Sequence, residues 1–239
     1  MSKLWPEGAG RLGIMQPYFF PYAQQLRHIA QCDRWIVFDT PKFSRKSYVT
    51  RNRILNKQSG WSYINVPVAK GASRGSIKDA GLGSVGWRAD LLDALRIYEH
   101  SAPYYRVTIE FVQTCIADDH ETIADLNTFC LSSLCVLLNI DTRIDVLSQM
   151  PVELPDAMAP GEWACHISKE IGARIYSNAP GGRSLFDPEV YRRAGIELEF
   201  YEPCELLYET PGFEFVPDLS VIDTLMWIGP GALGEWCKT

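Results

Sequence analysis

The chain has 239 residues, of which 46% are hydrophobic, and a formal net charge of -6. This composition supports a full hydrophobic core, which excludes a disordered protein, and the negative charge makes nucleic acid an unlikely main partner. No apolar stretch approaches the roughly 18 residues of a membrane span, and the N-terminus lacks a signal-peptide core, so we expect a cytoplasmic protein.

Short apolar runs alternate with longer amphipathic runs, which predicts an α/β fold with a largely parallel, Rossmann-like sheet and helical insertions. The predicted strands are 12–15, 35–38, 63–68, 143–147, 174–177 and 197–201. The predicted helices are 26–30, 87–98, 105–116, 121–138, 162–171, 188–193 and 220–229. Asp118 with Glu121, and Ser220 with Asp223, have the spacing of capping boxes. We interpret 1–239 as a single domain, in which the proline-bearing segment 149–161 is a crossover or subdomain boundary.

The segment 16–22 carries two prolines and four aromatic rings between the first predicted strand and helix. A turn alone does not need so many prolines and aromatic side chains. In α/β proteins, ligands bind where a strand ends and a helix begins. Gln16 is therefore a candidate ligand-binding residue. Tyr18, Tyr22 and Tyr48 are candidates for an aromatic wall around a sugar or a nucleobase, or they fill the core under the turn.

Two residues are candidates for catalysis. Asp39 follows the strand 35–38, where α/β enzymes often carry a functional carboxylate, and we expect it to line one pocket with Gln16. The alternative is ordinary turn chemistry, because Asp before Thr-Pro is common in turns. His28 and Cys32 are four residues apart and share a helix face, which makes His28 a candidate base or a hydrogen-bonded structural residue.

Basic residues are concentrated in 42–57, against the negative average of the chain. Arg51 and Arg53 flank Asn52, and Arg45 precedes them closely. Guanidinium groups bind carboxylates and phosphates through two parallel hydrogen bonds, so the cluster predicts a small anionic ligand. The alternative is a solvated basic turn, or an arginine that pairs with Asp39 and so holds two strands together.

The loop 178–183 contains two glycines and ends at Arg183, which indicates either a phosphate-facing loop or a plain turn. The four histidines are widely spaced, and the seven cysteines include no C-x-x-C pair. We therefore expect no metal site of histidine or cysteine ligands, and the sequence leaves any cofactor unknown. It leaves the oligomeric state unknown as well.

Several blocks of sequence occur in the order and spacing of a known family. They are 16–22, 33–39, 43–55, 102–104, 172–177, 195–198 and 219–223. Together they resemble the WbqC-like family of bacterial proteins, which is often associated with O-antigen and other glycan gene clusters. The resemblance implies an acyl or aminoacyl transferase, with glycyl transfer as one instance, that acts on an amine of a small molecule such as an amino sugar. The anionic ligand would then be a nucleotide sugar, an amino acid or an acyl donor.

Two alternatives to the transferase stay open. One is a noncatalytic binding protein of a biosynthetic cluster, which holds a nucleotide or a carboxylate in the same pocket. The other is a nucleotide-dependent amide ligase. The binding protein differs from the transferase because it has no turnover. The ligase differs because it consumes a nucleotide.

Three positions depart from the family pattern. Thr40 and Lys42 stand where the family usually carries a carboxylate and an amide, and Leu91 stands where a histidine is often found. If those groups do chemistry in relatives, this chain uses another substrate or has lost the activity. The first strand, turn and helix also resemble nucleotidyltransferase-like enzymes, but 22–25 lacks their H-x-G-H motif, so adenylyl transfer with that motif is not supported.

Overall fold

The structure is a computed structural model that describes residues 10–72, 75–83 and 86–239. The strands are β1 (Arg11–Met15), β2 (Arg34–Val37), β3 (Arg51–Asn56), β4 (Gly60–Asn65), β5 (Arg143–Val146), β6 (Ile175–Asn178) and β7 (Glu197–Phe200). The α-helices are α1 (Ala23–Ala30), α2 (Trp87–Leu95), α3 (Tyr105–Ala117), α4 (Ile123–Leu137), α5 (Glu162–Ile171), α6 (Pro188–Ala194) and α7 (Val221–Cys237). Short 3-10 helices lie at Ile77–Asp79, Arg96–Tyr98, Leu147–Gln149 and Pro180–Leu185.

Five strands form one parallel sheet in the order β5-β2-β1-β6-β7. The chain builds outward from β1 through β2 to β5, returns to the other side of β1, and builds outward again through β6 to β7. Gly13 of β1 therefore pairs with Trp35 on one side and with Ser177 on the other. This is the doubly wound strand order, so the predicted Rossmann-like parallel sheet is confirmed, with its switch point between β1 and β6.

Helices cover both faces of the sheet. The side chains of β2 alternate between two cores, because successive residues of a strand point to opposite faces. Trp35 and Val37 pack in the larger core with α1, α4, α7 and the hairpin of β3 and β4, whereas Ile36 packs with α5 and α6. The described helices are all too short or too polar to cross a bilayer.

β3 is the strand that the sequence did not predict, and it lies inside the basic segment. Its partner β4 was predicted at 63–68 and runs from Gly60 to Asn65. Along the start of β3, Asn52 and Ile54 are buried while Arg51 and Arg53 are partly exposed. The outward charges mask the apolar face of the strand, so a search for apolar runs misses it.

Three predicted helix signals were wrong in detail. The capping box of α4 is Thr122 with Asp125, since the Thr122 hydroxyl accepts from the Asp125 N–H at 3.1 Å and the Asp125 carboxylate accepts from the Thr122 N–H at 3.1 Å. Gly229, predicted as a helix stop, has φ 72° and produces a kink, after which the helix continues to Cys237. Ser220 does cap α7, but Asp223 does not complete a capping box, because its carboxylate is directed into the core.

Candidate functional site

A crevice of about 250 Å³ opens at the carboxyl ends of β1 and β6. This is the switch point of the sheet, where open α/β folds bind their ligands. The walls come from the turn after β1, from α1, from the turn after β6, and from the segments that follow β7 and precede α7. The residues that line it are Met15, Tyr22, Gln24, Gln25, His28, Ala179, Pro180, Gly181, Tyr201, Pro203 and Asp218.

His28 is the imidazole of this crevice. Its side chain lies against the sheet, and its Nε2 is 2.8 Å from the Ser177 hydroxyl. The ring stacks on Tyr201 with centroids 4.7 Å apart and meets Trp35 edge-on at 5.1 Å. Burial, with a smaller contribution from the charge of Arg11, lowers the pKa of His28 to about 4. The imidazole is therefore neutral and held in one orientation near neutral pH.

The partner of His28 is thus Ser177 rather than Cys32. Cys32 is buried, and burial raises the pKa of its thiol well above the ordinary value. Ser177 was not predicted as a functional residue. The signal available in the sequence was a small hydroxyl residue inside the strand 174–177, next to the glycine-bearing loop.

Gln25 is the second polar group of the crevice, and its amide is unpaired. The residue is 3% exposed, and neither its Oε1 nor its Nε2 has a hydrogen-bond partner within the described residues. The neighbouring Gln24 differs, since its Oε1 accepts from the Tyr201 hydroxyl at 2.7 Å and its Nε2 donates to the Cys204 carbonyl. A buried amide without partners costs about 1 to 3 kcal/mol, and both amide atoms of Gln25 are buried away from solvent.

The charge of the crevice is neutral to negative. Asp218 is its exposed carboxylate, His28 is neutral, and no lysine or arginine is among the lining residues that the structure describes. Burial raises the pKa of Tyr22 to about 12, so this phenol carries no charge near neutral pH. The Arg27 guanidinium lies directly behind the lining, where it donates to the Tyr201 hydroxyl at 3.0 Å, so the lining residues alone do not set the charge of a ligand.

Gln16 and Asp39 do not line one pocket. Gln16 lines a cavity of about 530 Å³ that it shares with Lys42 and Thr40. Asp39 is 1% exposed, lies in the wall of a separate cavity of about 560 Å³, and accepts hydrogen bonds from the N–H and the hydroxyl of Ser148. Its carboxylate thereby joins the end of β2 to the end of β5.

The basic cluster does not converge on one point. Asn52 points inward, and its amide donates to the carbonyls of Phe19 and Phe20 at 3.1 and 2.7 Å. The two arginines point to the other face, where the Arg51 guanidinium lies 4.3 Å from the Tyr63 ring centroid and Arg53 lies 5.3 Å from that of Trp61. Arg53 also donates to the Asp218 carbonyl at 2.8 Å, which connects the hairpin to the rim of the crevice.

The remaining predicted site residues divide between surface and core. Tyr18 and Tyr48 contact each other with ring centroids 5.6 Å apart, beside the turn and outside the crevice lining. Arg45 is exposed, and so is Arg183, whose guanidinium lies 4.3 Å from the Phe200 ring centroid. Leu91, one of the departures from the family pattern, is buried in the core beneath α2.

Comparison with known proteins connects the chain to one family. The profile of the WbqC-like protein family matches residues 16–235. An uncharacterized protein of Mycobacterium tuberculosis, Rv1507c, is 24% identical over 225 residues, which cover 93% of this chain and 95% of that protein. No solved structure matches the chain.

Proposed function

The chain belongs to the WbqC-like protein family, and from this premise we propose that it is an acyl or aminoacyl transferase that acts on an amine of a small molecule. An amino sugar of surface-glycan or secondary-metabolite biosynthesis is the acceptor we favour, and glycyl is one candidate group. The observation that carries the proposal is the neutral, hydrogen-bonded pair of His28 and Ser177 at the switch-point crevice. A neutral imidazole carries the lone pair that a proton acceptor needs.

In the proposed reaction the acceptor nitrogen attacks the acyl carbonyl carbon, and a C–N bond forms. The bond between that carbon and the oxygen or sulfur of the donor breaks, and the leaving group keeps the electron pair. The attacking nitrogen loses a proton to the imidazole of His28, which passes it to the leaving group. Ser177 is the positioning residue, because its hydroxyl lies 2.8 Å from Nε2 and so holds the ring in one orientation.

Asp39 fits a supporting role better than that of the base. Both of its carboxylate oxygens already accept hydrogen bonds from Ser148, and it lies outside the crevice lining. The anionic part of the donor, whether a nucleotide sugar, an amino acid or an acyl carrier, has a candidate place in the cavity of Gln16 and Lys42. That cavity begins at the end of β1, as the crevice does, and Lys42 supplies a positive charge there.

The proposal is tested by turnover. Purified protein is incubated with aminoacyl and acyl thioesters and with a panel of amines, and N-acylated products are detected by mass spectrometry. His28→Gln should abolish a product that the wild-type protein forms, because glutamine keeps polarity but accepts no proton. His100→Gln, at an exposed position, is the matched control and should keep full activity. Equal product from the His28→Gln variant would exclude His28 as the base.

A noncatalytic binding protein is the second candidate, and one observation favours it. The pKa of His28 is lowered to about 4, whereas a general base works best when its pKa is near the working pH. If no donor and acceptor mixture gives a product, yet amines still raise the melting temperature of the wild-type protein, the binding function is the better description. Consumption of ATP with product formation would instead indicate an amide ligase.

A further inference from the structure

Trp163 is a partly exposed indole that the packing of the protein does not use. It lies in the first turn of α5 and lines the cavity of about 530 Å³ at the carboxyl ends of β1 and β2. The other five tryptophans that the structure describes pack in or against the larger core, whereas Trp163 belongs to neither core. Its ring contacts no other aromatic ring and no cationic side chain within the described residues. A side chain with so much apolar area on a cavity wall is better explained by a ligand than by folding.

Three polar side chains line the same cavity, and all of them are open to solvent. They are Gln16, Thr40 and Lys42. None of these side chains forms a hydrogen bond or an ion pair with another residue that the structure describes. Together they offer an amide, a hydroxyl and an ammonium group, and a ligand can reach each of them by replacing water.

The rest of the cavity wall is apolar and stiff. It consists of Phe38, Leu154, Pro41, Pro155 and Pro160. Because the proline ring fixes φ, the two loops that form the wall have few alternative conformations. A ligand for this cavity therefore has a flat apolar part as well as polar groups.

The charges near the cavity favour a ligand with a small negative charge. Lys42 is the only charged residue among the described residues of the lining. The segments that carry the lining, 38–42 and 153–163, also hold four carboxylates outside it, Asp39, Glu153, Asp156 and Glu162. Two of them are engaged within the protein, since Asp39 accepts from Ser148 and Glu162 accepts from the Ala159 N–H at 3.1 Å. One phosphate at Lys42 has a counter-charge, whereas a chain of phosphates would also approach these carboxylates.

We infer that this cavity binds the nucleotide part of a substrate, with Trp163 as the surface on which the base stacks and Lys42 as the contact of the phosphate. Gln16 and Thr40 bond the edge of the base or the ribose hydroxyls. A volume of about 530 Å³ lies within the usual range of small-molecule sites. The inference deepens the proposed function and rests on it, since it selects a nucleotide as the anionic part of the donor.

The position of the cavity connects it to the crevice. Met15, the last residue of β1, lines the crevice, and the next residue, Gln16, lines the cavity. Met15 packs against the larger core on the α1 face of the sheet, whereas α5, which carries Trp163, packs on the opposite face. A substrate that crosses the carboxyl end of β1 therefore has its base at Trp163 and its reacting end on the side of His28.

The test is a binding measurement that needs no turnover. AMP, GMP, CMP and UMP are titrated into the wild-type protein by calorimetry and by saturation-transfer NMR. Ribose 5-phosphate is the comparison ligand without a base, and the four nucleosides are the comparison ligands without a phosphate. We expect at least one nucleotide to bind tenfold more tightly than ribose 5-phosphate and than its own nucleoside, with the strongest saturation transfer to the base protons. Failure of all four nucleotides to bind, or binding no tighter than that of the comparison ligands, would overturn the inference.

Variants of Trp163 identify the stacking surface. Trp163→Leu should weaken nucleotide binding at least tenfold, because the base loses its aromatic partner, whereas Trp163→Phe keeps an aromatic face and should retain most of the affinity. Trp163 lies outside both cores, so both variants should melt close to the wild type. Trp61→Leu, at a partly exposed position of the hairpin, is the matched control and should bind nucleotides as the wild type does. If Trp163→Leu binds normally, or if Trp163→Phe loses as much affinity as Trp163→Leu, no base stacks on the indole and the inference is wrong.

A variant of Lys42 tests the phosphate contact. Lys42→Met should weaken the binding of the nucleotide and leave the binding of its nucleoside unchanged. Lys46→Met, at another exposed position of the basic segment, is the matched control and should leave both unchanged. Equal nucleotide affinity in the Lys42→Met variant and the wild type would contradict the assigned orientation.

The two proposals fail in different ways. If nucleotide binding depends on Trp163 but no acyl transfer occurs with any donor, the nucleotide site stands and the transferase proposal fails. If transfer occurs and depends on His28, while Trp163→Leu leaves the KM for every donor unchanged, the transferase stands and the nucleotide site fails.

Discussion

Two buried polar regions of this protein lie on the same side of the sheet, and they differ in how their hydrogen bonds are used. The first is the Asp223 cluster, in which the Asp223 carboxylate accepts from the hydroxyls of Tyr98 and Tyr208 at 2.7 Å each and from the Trp227 indole at 3.2 Å. The Tyr98 oxygen in turn accepts from the Leu55 N–H at 2.9 Å. The second is the crevice, where the Gln25 amide has no partner within the described residues.

The two regions differ in how far the protein satisfies its own buried polar groups. A polar group with all of its partners inside the protein fixes the packing of the elements that meet there, as Asp223 joins α7 to the hairpin through Tyr98. A polar group without partners contributes nothing to folding and costs free energy, so its presence needs another explanation. Both regions contain buried titratable groups, and only the pattern of hydrogen bonds distinguishes them.

The largest expected effect comes from breaking the Asp223 cluster. Asp223→Ala leaves two phenols and an indole without their acceptor in the core and should lower the free energy of unfolding by about 3 to 5 kcal/mol. Urea denaturation followed by tryptophan fluorescence measures it. Glu235→Ala, at an exposed position of the same helix, should change stability by less than about 0.5 kcal/mol. A loss below about 1 kcal/mol for Asp223→Ala would mean that the cluster does not hold these elements together.

The second prediction uses pH, because the two regions respond to it in opposite directions. The folded pKa of His28 is lowered to about 4, so its contribution to stability is present above pH 6.5 and is lost as the pH falls toward 4. The folded pKa of Asp223 is raised by burial to about 6, so the folded state binds the extra proton and loses stability as the pH rises from about 4 to 6. Each effect amounts to about 3 kcal/mol over its window.

Variants separate these opposing slopes. In His28→Gln, stability should fall more steeply as the pH rises from 4 to 6 than it does in the wild type, because the Asp223 effect is no longer offset. In Asp223→Asn, stability should rise more steeply with pH over 4 to 6.5. Denaturation at half-unit pH intervals measures both slopes. Identical slopes in the two variants would show that neither group titrates as its burial requires.

The third prediction compares two buried amides. Asn52 is the opposite of Gln25, since its Nδ2 donates to two carbonyls of the turn after β1 and its Oδ1 accepts from the Arg53 N–H at 2.8 Å. Asn52→Leu should therefore destabilise the fold by about 2 to 3 kcal/mol, because the carbonyls of Phe19 and Phe20 lose their donor. Thermal and urea unfolding give the value. Wild-type stability in this variant would contradict the assignment of Asn52 to the structure rather than to an anion site.

The sequence predicted the architecture well because the sheet strands are short apolar runs with clear breaks. It predicted the site only in part. His28 and Tyr22, two candidates from the sequence, both line the crevice, whereas Ser177 was not a candidate, because its contact with His28 depends on which elements are neighbours in space. β6 lies beside β1 although more than 150 residues separate them, and no local pattern states this.

In the basic cluster, residues that are adjacent in sequence point in different directions in the structure. Arg51, Asn52 and Arg53 are adjacent in sequence, and adjacency suggested a common ligand. In a strand, however, successive side chains point to opposite faces, so the amide is directed into the turn and the guanidinium groups lie over Tyr63 and Trp61. The family resemblance includes this segment but gives no information about the direction of its side chains.

The smallest expected effect has the opposite sign to the others. Gln25→Leu removes an amide that is buried and unpaired, and it should raise the free energy of unfolding by about 1 kcal/mol in the absence of ligand. The gain is modest because leucine has a different shape and its fit to the crevice wall is imperfect. Differential scanning calorimetry of the ligand-free Gln25→Leu variant measures the effect, and Gln24→Leu is the comparison. The Gln24 amide has hydrogen-bond partners at both of its atoms, so its loss should be destabilising. If both substitutions destabilise the protein equally, the contrast between the crevice and the Asp223 cluster disappears. If only Gln24→Leu does, the unpaired amide of Gln25 lowers the stability of the fold, as its missing hydrogen bonds predict.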